Sequence, residues 1–241
     1  MTTAPDRLRS RPEASSILPP PPPGVVPYIA GYSREQIITP RLTHGPGPAV
    51  GFVDETPHDR DSFGVPWVRP SLLPKARRGE PRFKEVHPFR QRRAMLDQLC
   101  QVCARPAVSD LDAPRLYVMH GIGRPVEEGE LTASPPVCLP CAAIAVQVCP
   151  YLRRHHVAAW VRSTPAWGVI GHVHDPQTLR AFAQDQQVEY GSPAAAWVVA
   201  ARLVSMLYEV TPMDLEAEFA RLGRDRLEEE FSRVAELMAA A

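Results

Sequence analysis

"PVCLPCAAIAVQVCP", residues 136–150, sets two cysteines two residues apart at the mouth of an apolar run. The run after Cys141, "AAIAVQV", reads as a helix, so Cys138 and Cys141 fall at its N-terminus. Free N–H groups and the helix dipole stabilise negative sulfur there. A second pair, Cys100 and Cys103 in "LCQVC", lies upstream, giving the spacing C-x2-C-x34-C-x2-C. Two intervening residues let a tight turn direct both sulfurs of a pair at one ion. Thiolate is a soft ligand, and four of them satisfy the tetrahedral preference of Zn2+ with no position left open. The expected cofactor is therefore a structural zinc held by Cys100, Cys103, Cys138 and Cys141. The fifth cysteine, Cys149, is followed by Pro150 and reads as a small buried apolar residue, with redox exchange as the alternative.

The totals are consistent with an ordinary folded chain. Its 241 residues allow one sizeable domain or two small ones. Apolar residues make up 44% and charged residues 22%. Basic and acidic residues balance at 27 each, so no global field draws the protein onto nucleic acid or anionic lipid, although a local patch is not excluded. Lys75 and Lys84 are the only lysines among many arginines, alanines and prolines, a usage expected of a GC-rich bacterial genome. No window has the ~20 uninterrupted apolar residues of a membrane span. The arginines near the N-terminus precede no apolar core, so no secretory signal is read there. Paired cysteines suit a reducing cytosol better than a disulfide framework, and a cytoplasmic location is expected.

Four segments are read along the chain. Residues 1–24 form a disordered arm ending in the run Pro19 to Pro23, a stiff polyproline II spacer or a ligand for an aromatic groove. Residues 25–87 alternate short apolar pieces with Pro and Gly and show no helical period. They read as short strands and extended loops draped over a neighbour. Residues 88–150 hold the cysteines, and residues 151–241 carry a β-hairpin and a helical unit. Pro88 opens a helix running through Met95 and Leu96 toward Cys100. "HHVAAWVRST" and "AWGVIGHVHD" read as two strands joined through Thr164 and Pro165. "SPAAAWVVAARLVSMLY" begins with Ser192 as cap, is apolar almost all round and reads as a buried central helix. A last helix is expected from Thr211, with Leu227, Phe231, Val234 and Met238 on one stripe and Gly223 as a kink.

Residues 75–93, "KARRGEPRFKEVHPFRQRR", are the one strongly basic stretch. Arg90, Arg92 and Arg93 fall on the first turns of a helix, where the backbone is already positive. Phosphate, or carboxylates elsewhere in the chain, would relieve that repulsion. Arg77, Arg78, Arg82, Arg90, Arg92 and Arg93 are thus the candidate nucleic-acid contacts, against the alternative of a solvated or internally paired arginine face.

The order of parts, a "CQVC" knuckle, a β-hairpin including "RLYVMHG" and a helix carrying the second pair, resembles a treble-clef zinc finger. Within that class residues 95–150 are most similar to zinc-bound HNH endonucleases. The resemblance implies a catalytic histidine at the end of the first hairpin strand, an asparagine before the second cysteine pair and a histidine directly after it. His120 occupies the first position, but the second reads Ala133-Ser134-Pro135 and the third is Ala142. A phosphodiester-cleaving site needs hard-metal ligands as well as a base, so the scaffold is expected without the reaction, and no catalytic residue is assigned. His120 reads as a relic base or phosphate contact, or as a satisfied polar residue.

"GHVHDP" is the other constellation. His172 and His174 share one face of a strand, with Asp175 next in sequence. His155 and His156 precede the partner strand, so a hairpin could gather a 2-His-1-carboxylate site, against the alternative of an ordinary polar strand end. The fold class expected is α+β: a treble-clef core with short strands, a β-hairpin, two C-terminal helices and an extended Pro-rich N-terminal region. The function expected is a non-enzymatic module engaging a protein or nucleic-acid partner and no membrane. The alternative is an altered HNH-like nuclease or a histidine-metal enzyme.

Overall fold

Pro88 and the residues after it form a helix as the sequence suggests. The computed structural model describes residues 18–240 apart from Ser109, Leu111 and Ile122, so the arm expected over residues 1–24 lies outside the described residues up to position 17. The N-terminal part supplies short strands: β1 (Ala30–Tyr32), β2 (Ile37–Ile38), β3 (Leu42–His44), β4 (Val50–Phe52), β5 (Arg69–Pro70) and β6 (Pro81–Val86). Next come α1 (Pro88–Leu96), β7 (Arg115–Met119), β8 (Leu131–Thr132), α2 (Leu139–Val148) and α3 (Pro150–Arg154). The C-terminal part holds β9 (Val157–Ser163), β10 (Ala166–His174), β11 (Ala181–Glu189), β12 (Val198–Met206), β13 (Tyr208–Met213), α4 (Leu215–Leu222) and α5 (Arg224–Ala240). The chain is thus mixed α and β, with antiparallel sheets.

A four-stranded sheet runs in the order β11-β10-β12-β8 and a three-stranded sheet in the order β13-β9-β7. The ribbons β1-β6, β2-β5 and β3-β4 complete the pairing. Two expected hairpins are therefore corrected. β7 pairs with β9 and β8 with β12, so the strands between the cysteine pairs do not pair with each other. β9 and β10, joined by Thr164 and Pro165, also part into different sheets. In both cases the strands take partners distant in sequence, and the paired β7 and β9 bury Leu116, Tyr117, Ala158 and Ala159.

The larger correction is β12. The segment expected as a central helix is a 3-10 turn, Pro193–Trp197, followed by a strand. Val198 and Ala200 face one core with Val169, Val188, Trp67 and Met95, while Val199 faces another with Val50, Phe52 and Val68. A strand buried on both faces is apolar without alternation, which is how a buried helix also reads. Its outer edge is closed piece by piece. Ala200 exchanges backbone hydrogen bonds with Pro66 and Val68, at 2.8 and 2.9 Å, and Ser205 and Met206 pair with β8. Between them the side chain of Gln91, fully buried on α1, donates to the Leu203 carbonyl (2.9 Å) and accepts from the Leu203 amide (2.9 Å). One side chain thus replaces a strand residue.

The three-stranded sheet alternates as a half-buried strand should. Leu116, Val118 and Ala158 join the helices, and Tyr117, Ala159 and Val161 face Val126 and Leu207. α2 is buried through Cys141, Ala142, Ala143, Ile144 and Val146. α5 lays Leu227, Phe231 and Val234 against the same core, with Met238 at its margin, the stripe expected. The helix begins later than Thr211, however. Thr211 and Pro212 still belong to β13, and Asp214 is the cap, accepting from the Ala217 amide at 3.1 Å. Gly223 separates α4 from α5 with a φ of 82°, a conformation costly for any residue with a Cβ. Leu18 and Val25 pack on the helical core, and the Pro19 carbonyl accepts from Gln147, so the described part of the proline run lies against α2.

A four-cysteine candidate metal centre

The first cysteine pair is set by the way α1 ends. Gln98 adopts a φ of 51° just beyond the helix, and the chain doubles back through a bridge between Leu99 and Pro106. Inside that loop the Cys100 amide donates to the Arg105 carbonyl (2.7 Å) and the Ala104 amide to the Cys100 carbonyl (2.9 Å). Ala104 carries a φ of 60°, so the knuckle holds a left-handed residue that has a side chain. The second pair is set by β7 and α2. Val137 donates to the Leu116 carbonyl at 2.9 Å, and Cys138 then caps α2 while Cys141 lies in its first turn. Gln101, inside the knuckle, ties the pairs together: its amide donates to Pro136 (2.9 Å) and its side chain to Pro135 (3.0 Å).

These constraints bring the four Sγ atoms within 4.8 Å of one another. Cys103 and Cys138 are 3.9 Å apart. A tetrahedral ion bound at ~2.3 Å spaces its sulfurs by ~3.8 Å, so the cluster is of the right size. Cys100 and Cys141 are fully buried, and Cys103 and Cys138 are half-buried. Hydrogen bonding with Cys100 and then Cys103 pushes the Cys138 and Cys141 thiols far up, whereas hydrogen bonding with Cys100 and Cys138 pulls Cys103 down. Physically, four sulfurs this close cannot all become thiolates, because each negative charge disfavours the next. A divalent cation lets all four ionise together. These four cysteines can hold a metal ion, and among the described residues they are the one group of three or more candidate ligands that converges. Cys149 is outside it, half-buried where α2 meets α3.

Two clefts reach the cluster. One of 330 Å³ is lined by Cys103, Cys138, Arg105 and Pro140, with Glu230 and Arg233 from α5. The other, of 660 Å³, runs from Cys138 and Leu139 to Trp160 and Arg162. Arg105 and Arg233 were not singled out from the sequence. Arg105 belongs to the knuckle loop itself, whereas Arg233 reaches the cysteines only through the docking of α5, which no spacing announces.

The six arginines of the basic stretch do not act alike. Arg90 is buried and grips Glu35 at 2.5 and 2.8 Å while donating to the Ala30 carbonyl. Arg78 lies 3.7 Å from the same carboxylate and donates to Leu73. Burial alone would raise the Glu35 carboxyl, but the hydrogen bonds and charge of Arg90, with His87 and Arg78, hold it below its ordinary value. Arg92 stacks over Trp67 at 4.3 Å, Arg82 pairs with Glu85 and Arg93 with Asp97. Arg77 is exposed. The repulsion expected at the start of α1 is thus relieved at Arg90 by a carboxylate of the chain itself. Neither Glu35 nor its pairing was visible in the sequence pattern.

The histidines are dispersed. His120 is exposed at the end of β7, its ring meeting Tyr151 and His155 edge-on. His156 donates to the Leu152 carbonyl at 2.9 Å and lies 3.5 Å from Glu216. His172 and His174 are on β10, in the other sheet, so His155 and His156 do not join them. Asp175 is used in its own turn, accepting from the Gln177 and Thr178 amides and the Thr178 hydroxyl. The 2-His-1-carboxylate site is therefore not assembled. No helix among the described residues is long and apolar enough to cross a membrane. Comparison with known proteins finds no family model, no curated protein and no solved structure that matches the chain, and the reading of the centre rests on its own geometry.

Proposed function

We propose that the protein is a zinc-stabilised binding module without catalysis of its own, and that its partner is another protein. The observation that carries this reading is the closed set of four sulfurs, two of them fully buried, which leaves a bound ion no open position. Zinc is the ion of choice because four thiolates in tetrahedral array suit it and it undergoes no redox change. The knuckle and the cysteine-bearing helix are two of the three parts of a treble clef, and we read the scaffold as a derivative of that class. Of the three HNH positions only His120 carries the expected side chain, and its ring lies against Tyr151 and His155.

A protein partner is favoured over nucleic acid by charge and by surface. Formal charge is balanced, and Arg90, Arg92, Arg82 and Arg93 are engaged within the chain. Phe83, Ile37, Ile38 and Leu72 are large apolar side chains left exposed on the N-terminal ribbons and the loop after β5. A gel shift with labelled duplex and single strands across a salt series tests the choice. The expected outcome is no retarded species at physiological salt. Retardation that weakens steeply with salt, and disappears when Arg77, Arg82 and Arg93 are changed together to Ala, would assign the partner to nucleic acid instead.

A further inference from the structure

His172 and His174 present an arrangement that the cysteine centre does not use. They stand two apart on β10, so both side chains leave the same face of the strand, while Val173 between them points into the core of Val169, Val188 and Val198. Opposite His172 on β12 is Val199, whose side chain packs with Val50 and Phe52 of the β3-β4 ribbon. The two imidazoles therefore lie on the covered side of the sheet, with His174 buried and His172 half-buried.

The tautomer of His174 is set by its neighbour. Its Nδ1 is 3.0 Å from the Leu179 carbonyl, which can only accept, so Nδ1 carries the proton and donates. That carbonyl belongs to a rigid turn. Asp175 accepts three bonds within the turn, Leu179 donates back to the Asp175 carbonyl, and His44 clamps the Pro176 carbonyl at 2.8 Å. The lone pair of His174 is left on Nε2, and this atom is buried with no hydrogen-bond partner. Nδ1 of His172 is likewise buried and unpartnered. Each such atom loses its hydration without compensation, and here two occur on neighbouring positions of one strand face. A ring N–H held by a backbone carbonyl, with the opposite nitrogen bare, is the form in which histidine ligates metals. Burial also keeps His174 neutral, pushing it below the ordinary imidazole value.

We propose that His172, through Nδ1, and His174, through Nε2, form a second metal site for a borderline divalent ion such as Zn2+, separate from the cysteines. Imidazole nitrogen suits such ions. Asp175 is held in its turn, so the protein supplies two donors and solvent the rest. Unlike the cysteine centre, the site keeps open positions and binds more weakly. The inference does not depend on the nature of the protein's partner.

The test uses the full chain with its cysteine centre already filled with zinc and its histidines labelled with 15N. Zinc is added at micromolar concentration, and uptake is followed by equilibrium dialysis and the ring nitrogens by NMR. The expected result is one further zinc per chain, with the Nε2 signal of His174 and the Nδ1 signal of His172 moving together. Uptake should be lost in His172→Ala and in His174→Ala. Because His174 is buried and its variant can unfold, the half-buried His172→Ala, checked by circular dichroism, decides the matter alone. Failure to take up a further zinc, its retention in folded His172→Ala, or unmoved ring signals would each overturn the proposal, the last outcome leaving a trapped water between the two nitrogens.

Discussion

Asp59 is buried and accepts from the Thr56 amide (2.6 Å), the Thr56 hydroxyl (2.9 Å) and both ends of the Arg69 guanidinium (2.7 Å each). These donors, Arg69 foremost, outweigh burial and hold the carboxyl at about 2 rather than 3.8. The unfolded chain lacks them, so folding favours the ionised form. The resulting stability is fully present above the unfolded value and is lost as pH falls through the folded one. A shift of this size corresponds to about 2 kcal/mol. Asp59→Asn should therefore lower stability by about 2 kcal/mol at neutral pH, and urea melts should show the difference from the parent shrinking as pH approaches 2. An unchanged gap across that range would place the stabilisation elsewhere. Arg90 follows the same logic in a drier setting, since removing it would take both close hydrogen bonds from the buried Glu35 and leave it only Arg78 at 3.7 Å and His87 at 3.8 Å.

Among elements, β12 shows most plainly how context overrides local pattern. Its continuous apolar run is compatible with helix or strand, and the decision is made by partners far away in sequence: Pro66 and Val68, Gln91, and β8. Gln91→Leu keeps the volume but strands the Leu203 amide and carbonyl, each buried. A loss of about 3 kcal/mol, read from urea melts, is expected. A loss below 1 kcal/mol would mean that the strand edge closes without Gln91. The same comparison explains what was legible. The start of α1 at Pro88, the cysteine spacing and the stripe of α5 are encoded within one element or one motif. The partners of β7, β8, β9 and β10 are not. Adjacency in sequence suggests hairpins, whereas each strand pairs where its apolar face is buried, as Leu116 and Ala158 show on the helical side of the β7-β9 pair.

At the scale of the molecule, the cysteines sit where otherwise separate pieces meet. The knuckle donates to the lead-in of α2 through Gln101, and the backbone amides of Tyr28 and Ile29 donate to Val102 and Gln101. α5 covers one flank through Arg233 and Val234, and Lys75 from the N-terminal part caps the last carbonyls of that helix, at Met238 and Ala239. The four sulfurs come from two segments that only the folded chain brings together, so an ion bound by them would contribute its binding free energy to the folding of this junction. The cysteine spacing pointed to the four residues that converge, but not to the segments from both halves of the chain that meet around them.

The most direct measurement is the visible spectrum of the full chain refolded with Co2+. Four thiolates at one tetrahedral centre should give intense sulfur-to-cobalt charge-transfer bands and strong d–d bands, saturating at one cobalt per chain and bleached by stoichiometric zinc. Weak octahedral absorption, or thiols that remain freely titratable or paired as disulfides with cobalt present, would contradict the account.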